Sequence, residues 1–147
     1  MTRRVAVRGI FVHQSKLLCV KLKPYNMAVR QDYWCTIGGG VDDGESLQDA
    51  IVREVVEETG IKPVVGNIRY IQQYKTTEEE CLEFFFEIIN AHEYVQIDLS
   101  KTTHGQEEIA EIDFIDPSKN KVYPKFLQSI DFTTLNTASP VKLFNYL

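Results

Sequence analysis

Residues 39–61 read GGVDDGESLQDAIVREVVEETGI, and the rest of the chain is arranged around them. Ser46 is placed to cap a helix with Asp49 three residues on, and Gly60 is placed to end it. The spacing predicts a helix from about Leu47 to Thr59. On a wheel of ~100° per residue, Leu47, Ala50 and Ile51 share a sector with Glu54 and Glu58, and Glu57 lies at its edge. One face passes from apolar to acidic along its length, so docking the apolar turns aims the acids at the protein body. Carboxylates at offsets of three and four repel one another, and they oppose the helix dipole by roughly 0.3–1 kcal/mol each when exposed. A hard divalent cation takes carboxylate oxygens and keeps waters that meet a phosphate. The pattern asks for one.

Working toward the N-terminus, Tyr33–Ile37 reads as a short strand running into Gly38-Gly39-Gly40, which reads as a turn or ligand-facing loop. Pro24–Asp32 reads as a loop, with Tyr25 and Met27 facing either a pocket or solvent. Residues 3–12 and 16–23 are β-branched, apolar runs joined by His13-Gln14-Ser15-Lys16, a hairpin pattern. Toward the C-terminus, residues 64–77 and 81–90 form two strands around an acidic turn, Glu78-Glu79-Glu80. Leu82–Ile89, with Phe84-Phe85-Phe86, reads as a central strand covered on both faces. Residues 91–108 read as a long loop, Ile109–Ile115 as a strand, and 124–130 as a short closing helix. The tail from Asp131 to Leu147 is apolar enough to pack.

At 147 residues, with 44% hydrophobic and 25% charged side chains, the chain is expected to form one domain spanning 1–147. A net charge of −5 without a Lys/Arg run gives no grip on a nucleic-acid polymer, although a small nucleotide remains accessible. Cys19, Cys35 and Cys81 lack C-x-x-C spacing and read as buried thiols. No stretch approaches the roughly 18–20 apolar residues of a membrane span, and MTRRVAVRGIFV lacks a cleavage site. A cytoplasmic protein is the expectation.

Gly39, Glu45, Arg53, Glu54, Val55, Glu57, Glu58, Gly60 and Ile61 fill all nine specified positions of G-x5-E-x7-R-E-U-x-E-E-x-G-U, U being a bulky aliphatic. This resembles the signature of the Nudix hydrolases, and a chance match is on the order of one in a billion per start point. The Val-Arg-Gly-Ile strand near the start, Trp34 and Tyr123-Pro124 extend the resemblance along the chain. It implies an α/β fold, an α/β/α sandwich with a mixed β-sheet. It also implies cleavage of a nucleoside diphosphate linked to another moiety, such as a nucleoside triphosphate, by water attack at phosphorus. Glu54, Glu57, Glu58 and the Gly38 carbonyl would hold Mg²⁺, with Mn²⁺ as a substitute. Glu45 and Arg53 would pair and anchor the glycine loop. The general base would be Glu57, Glu58 or a later acid, for which Glu108 is nominated over Glu107 and Glu111 by its distance from Phe114.

Arg8, Gly39, Gly40 and Tyr33 are the candidate substrate contacts. For Arg8 a structural ion pair is an equal alternative, and for Tyr33 and Trp34 core packing competes with stacking on a base. Lys21 and Lys23 face either phosphates or solvent, while His13, His92 and His104 lack partner spacing and read as surface residues. Ile37 and Asp42 stand where many relatives carry proline and glutamate. The alternatives are a nucleotide-sugar or dinucleoside polyphosphate pyrophosphatase and, in another class, a non-catalytic regulatory domain. The apolar tail offers a surface for a homodimer, which is common in the family.

Overall fold

A computed structural model describes residues 1–24, 32–132 and 139–147; Tyr25 and Met27 lie outside them. The strands are β1 (Thr2–Ile10), β2 (Val12–His13), β3 (Lys16–Leu22), β4 (Trp34–Cys35), β5 (Gly38–Gly40), β6 (Val65–Lys75), β7 (Glu79–Ile88), β8 (Ile109–Ile115), β9 (Val122–Tyr123) and β10 (Lys142–Asn145). The helices are α1 (Leu47–Thr59) and the single turn α2 (Gly105–Glu108). One mixed sheet runs β10-β6-β7-β1-β5, and a second runs β2-β3-β4-β9 with β8 also on β3. The expected α/β class with a mixed sheet is what the chain adopts.

β7 lies between β6, antiparallel, and β1, parallel. Its alternate side chains enter different cores, as period-two geometry requires. Phe84 and Phe86 join Val7, Ile51 and Val55 under α1, whereas Phe85 joins Tyr70, Phe126 and Leu127. Each such aromatic contributes roughly 1.5–3 kcal/mol on full burial. The phenylalanine run therefore binds the two cores across one strand.

The structure corrects four expectations. The hairpin is confined to β2 and β3, because β1 belongs to the first sheet and buried Phe11 carries the chain across to the second. Gln14 and Ser15, at φ 51° and 63°, make the tight turn whose twist suits two antiparallel strands. Gly38–Gly40 is a strand and not a turn, antiparallel to β1 with Arg8 opposite Gly38 and Ala6 opposite Gly40. It is glycine for clearance, since a Cβ on Gly38 would lie 2.0 Å from the Val7 carbonyl oxygen. In the acidic hairpin, Glu79 and Glu80 are already in β7, and the Thr76 hydroxyl accepts from the Glu78 and Glu79 N–H groups to make the turn.

The fourth correction concerns residues 91–108, which fold into short 3₁₀ turns at Ala91–Tyr94 and Leu99–Lys101 followed by α2. Buried Tyr94 holds this segment by donating to the Ile61 carbonyl at 3.0 Å and by packing edge-on against Phe11. The closing helix is a single 3₁₀ turn, Lys125–Gln128, and the tail returns as β10 beside β6. Among the described residues no helix is long and apolar enough to cross a membrane.

Candidate active site

α1 begins where Ser46 Oγ accepts from the Asp49 N–H at 3.0 Å, and ends where Gly60, at φ 76°, donates to the Val56 carbonyl. Ala50, Ile51, Val55 and Glu58 are among its buried side chains. The stripe predicted from the wheel is the docked face, and it carries a carboxylate inward. Gly39 lies directly beneath Glu54, where a Cβ would meet the carboxylate at 2.5 Å. Glycine at that position lets the acid rest on the backbone of β5.

Arg53 is the hub. Its Nε and Nη2 donate to Glu45 Oε2 and Oε1 at 2.8 and 2.9 Å, a bidentate pair, and Nη2 also donates to the Gly40 carbonyl at 2.9 Å. Its Nη1 reaches Glu54 Oε1 at 3.0 Å and Glu57 Oε2 at 3.3 Å. The Arg53 bonds, with the Asp42 N–H, hold the Glu45 carboxyl down at about 2. Glu45 and Arg53 thus tie the glycine strand to the helix, while the second half of the guanidinium steadies two acids.

Glu58 is the group left over. Only 6% exposed, it has a buried Oε2 without a hydrogen-bond partner. Burial pushes its carboxyl up to about 8, with Glu54 and Glu108 adding to the rise, while Arg8 and a Gly38 N–H bond oppose it. Burial also raises Glu54, and Glu57 adds to that against the pull of Arg53. An orphaned, buried carboxylate oxygen beside two more carboxylates is the environment a hard, oxygen-seeking cation relieves. The donor set therefore fits a hard divalent cation. Among the described residues no three acidic, histidine or cysteine side chains are drawn into a ready-made cage; Arg53 engages an oxygen each of Glu54 and Glu57.

The segment after residue 101 closes over the end of α1. His104 N–H donates to the Glu57 carbonyl at 2.9 Å, and Gly105 lies so near the Glu58 carbonyl that a Cβ would be 2.2 Å from it. This docking brings His104 Nδ1 to 3.1 Å from Glu57 Oε2. His104 is at the surface, as expected, yet its half-exposed imidazole meets Glu57. Its partner lies 47 positions earlier, and spacing alone carries no signal for that. Glu108 joins the same cavity, of about 570 Å³, with Glu54, Glu57, Glu58, His104, Arg4 and Arg8. Of its competitors, Glu107 does not line the cavity and Glu111 pairs with Lys21 at 3.7 Å.

A second cavity of about 460 Å³ shares Arg8, Leu22, Cys35 and Thr36 with the first. Tyr33 and Tyr123, edge to face at 4.8 Å, line it with Tyr74 and Tyr146. Arg8 stands between the cavities: Nη1 donates to the Thr36 and Gly38 carbonyls at 3.3 and 3.4 Å, and Nη2 lies 3.5 Å from Glu83 Oε1. Arg8 is thus both ion-paired and cavity-lining. Trp34 packs against the second core under the Lys21 ammonium, 5.0 Å from its ring, and Lys23 donates to the Gln106 carbonyl. Neither lysine lines the acidic cavity.

The chain is 38% identical over 66 residues to an ADP-ribose pyrophosphatase of Methanocaldococcus jannaschii, covering 44% of this chain and 36% of that protein. It is 35% identical over 82 residues to a putative 8-oxo-dGTP diphosphatase of Bacillus subtilis, covering 52% of this chain and 51% of that protein. The chain thus matches about a third to a half of the length of these relatives. The solution structure of the E. coli ORF135 protein superposes with a TM-score of 0.70 at 22% identity, covering 95% of each chain, a likeness of fold. A NUDIX domain profile matches residues 2–133. With the nine signature positions gathered around one helix and a mixed sheet to carry them, the chain belongs to the Nudix hydrolase family.

Proposed function

We propose that the protein is a Mg²⁺-dependent pyrophosphohydrolase that cleaves a nucleoside diphosphate linked to a further group, with a nucleoside triphosphate, normal or modified, as the leading substrate. The observation that carries this reading is the partnerless buried oxygen of Glu58, set beside Glu54 and Glu57 in a cavity that adjoins an aromatic one. Glu54, Glu57, Glu58 and the Gly38 carbonyl are the residues that would hold the ion. A bound divalent ion supplies charge neutralisation at the pyrophosphate oxygens and a lowered pKa for the attacking water.

The chain's own groups divide the remaining work. Arg53 fixes Glu54 and Glu57 in place and ties β5 down through Glu45. Gly39 and Gly40 keep that strand low enough for phosphates to pass over it. The Glu108 carboxylate, which makes no hydrogen bond or ion pair among the described residues, takes the proton from the attacking water. Arg4 lines the acidic cavity and likewise makes no ion pair among the described residues. Its charge suits an anionic phosphate beyond the cleaved bond better than a neutral sugar. That favours the triphosphate over the nucleotide sugar.

The decisive experiment is a panel of nucleoside triphosphates, nucleotide sugars and dinucleoside polyphosphates incubated with Mg²⁺, with products identified by mass. Release of pyrophosphate or phosphate from a triphosphate is the expected result. Tight nucleotide binding without turnover of any member would overturn the enzymatic reading in favour of a regulatory domain.

A further inference from the structure

The aromatic cavity has a polar floor made of Gln72 and Glu83, which face each other in register on β6 and β7 and are only 4% and 3% exposed. Glu83 is engaged through both oxygens: Gln72 Nε2 donates to its Oε2 at 2.8 Å, Tyr74 Oη donates to its Oε1 at 3.1 Å, and Arg8 Nη2 lies 3.5 Å from the same Oε1. With Tyr74 and Arg8 presenting donors to the same carboxyl group, it serves as the acceptor in this cluster. At 2.8 Å it therefore dictates which way the Gln72 amide is turned, nitrogen toward Glu83 and oxygen away.

The consequence lies at Gln72 Oε1. Among the described residues no donor reaches this oxygen, although the side chain is nine-tenths buried and lines the cavity. The residue is buried, but this oxygen is open to the cavity and not sealed in the core, so it is an unengaged acceptor that a ligand's donor can reach. The cavity above it is walled by Tyr33, Tyr123 and Tyr146, a setting for a flat ring. A shared wall at Arg8 and Thr36 joins it to the acids.

We propose that Gln72 is a specificity-determining residue: its Oε1 accepts an N–H from a nucleobase held among the tyrosines, and Glu83 is the positioning residue that locks the amide in the accepting orientation. This rests on the reading that the adjoining acidic cavity is a nucleotide pyrophosphohydrolase site. Bases that turn an amino group or ring N–H toward the floor are favoured. Bases presenting only a carbonyl there meet a second acceptor and are rejected.

Steady-state hydrolysis of the four deoxynucleoside triphosphates and of an abasic deoxyribose triphosphate, with Mg²⁺, tests this. Gln72→Leu is expected to lower kcat/KM for the preferred base about tenfold or more, mainly through KM, while the abasic compound changes less than about twofold. Glu83→Gln, which frees the amide to turn, is expected to blur the base ranking in the same way. Equal losses on all substrates, the abasic one included, or no change in ranking, would overturn the proposal. A second measurement does not need turnover: the Gln72 side-chain amide NMR signals should move on adding at least one nucleoside monophosphate without metal. Moved signals with no hydrolysis of any probe would sink the hydrolase reading and leave Gln72 standing. Unmoved signals with all four monophosphates would sink Gln72.

Discussion

The two joined cavities are built from the chain in opposite ways. The acidic one takes Arg53, Glu54, Glu57 and Glu58 from one helix laid over a glycine strand, with His104, Glu108 and two β1 arginines reaching it from elsewhere. The aromatic one draws Arg8, Tyr33, Gln72, Glu83, Tyr123 and Tyr146 from six separate places, positioned by sheet register. A site made by one helix keeps its geometry whenever that helix forms. A site made by register changes with any residue that faces it. On the proposed function, metal holding is tied mainly to local structure, and substrate choice to the assembled sheet.

That division is open to breakage. The largest effect belongs to the helix: Glu57→Gln should cut turnover on every substrate on the order of 10²–10⁴-fold with an unchanged circular dichroism spectrum. A substrate-dependent loss would break the division. Next is His104, which bonds Glu57 from outside the helix. His104→Ala should weaken Mg²⁺ affinity or activity by about 10–100-fold, measurable by titration calorimetry. His104→Asn, which keeps a donor near the Nδ1 position, should recover much of it, and equal behaviour of the two variants would exclude the hydrogen bond as the cause.

A third prediction uses Glu58. Its carboxyl ionises near 4.5 when free and near 8 in the folded, metal-free protein. Below the first value both states are protonated and no penalty exists. Between the two, the folded state keeps a proton that the unfolded state has lost, so stability of the metal-free protein falls as pH rises, levelling above about 8. The fall is on the order of a few kcal/mol. Thermal melts across that range should show it, Glu58→Gln should flatten it, and millimolar Mg²⁺ should reverse it by binding only the folded, ionised site. A melting temperature indifferent to both pH and Mg²⁺ would count against the metal reading. The smallest effect belongs to the aromatic cavity: Tyr33→Ala should raise KM several-fold for base-bearing substrates and leave kcat alone, since it removes only ring contact.

Much of the acidic site was legible because α-helical geometry is local. The wheel placed Leu47, Ala50 and Ile51 with Glu54 and Glu58, and the Ser46 and Gly60 ends of α1 lie where their capping chemistry puts them. The strand at Ile109–Ile115 was legible for the same reason, period two being a local pattern. The glycine triplet misled because glycine marks both turns and close approach. Only the Val7 carbonyl and the Glu54 carboxylate, brought in from elsewhere, show that here it means close approach within a strand. His104 was illegible since its partner is distant in sequence, and the 3₁₀ turns of 91–101 have no repeating pattern to read.

By itself the sequence determined the helix, its caps and the inward carboxylates, since each depends on neighbours within a few turns, while the pairing of Glu45 with Arg53 was implied by the family resemblance. Only the tertiary structure decided that Glu58 is left with a bare buried oxygen, that His104 and Glu108 arrive beside it, and that Gln72 turns its carbonyl into a tyrosine-walled cavity. Those outcomes depend on burial and on which donors are absent, and both are properties of the assembled chain, not of any stretch of it.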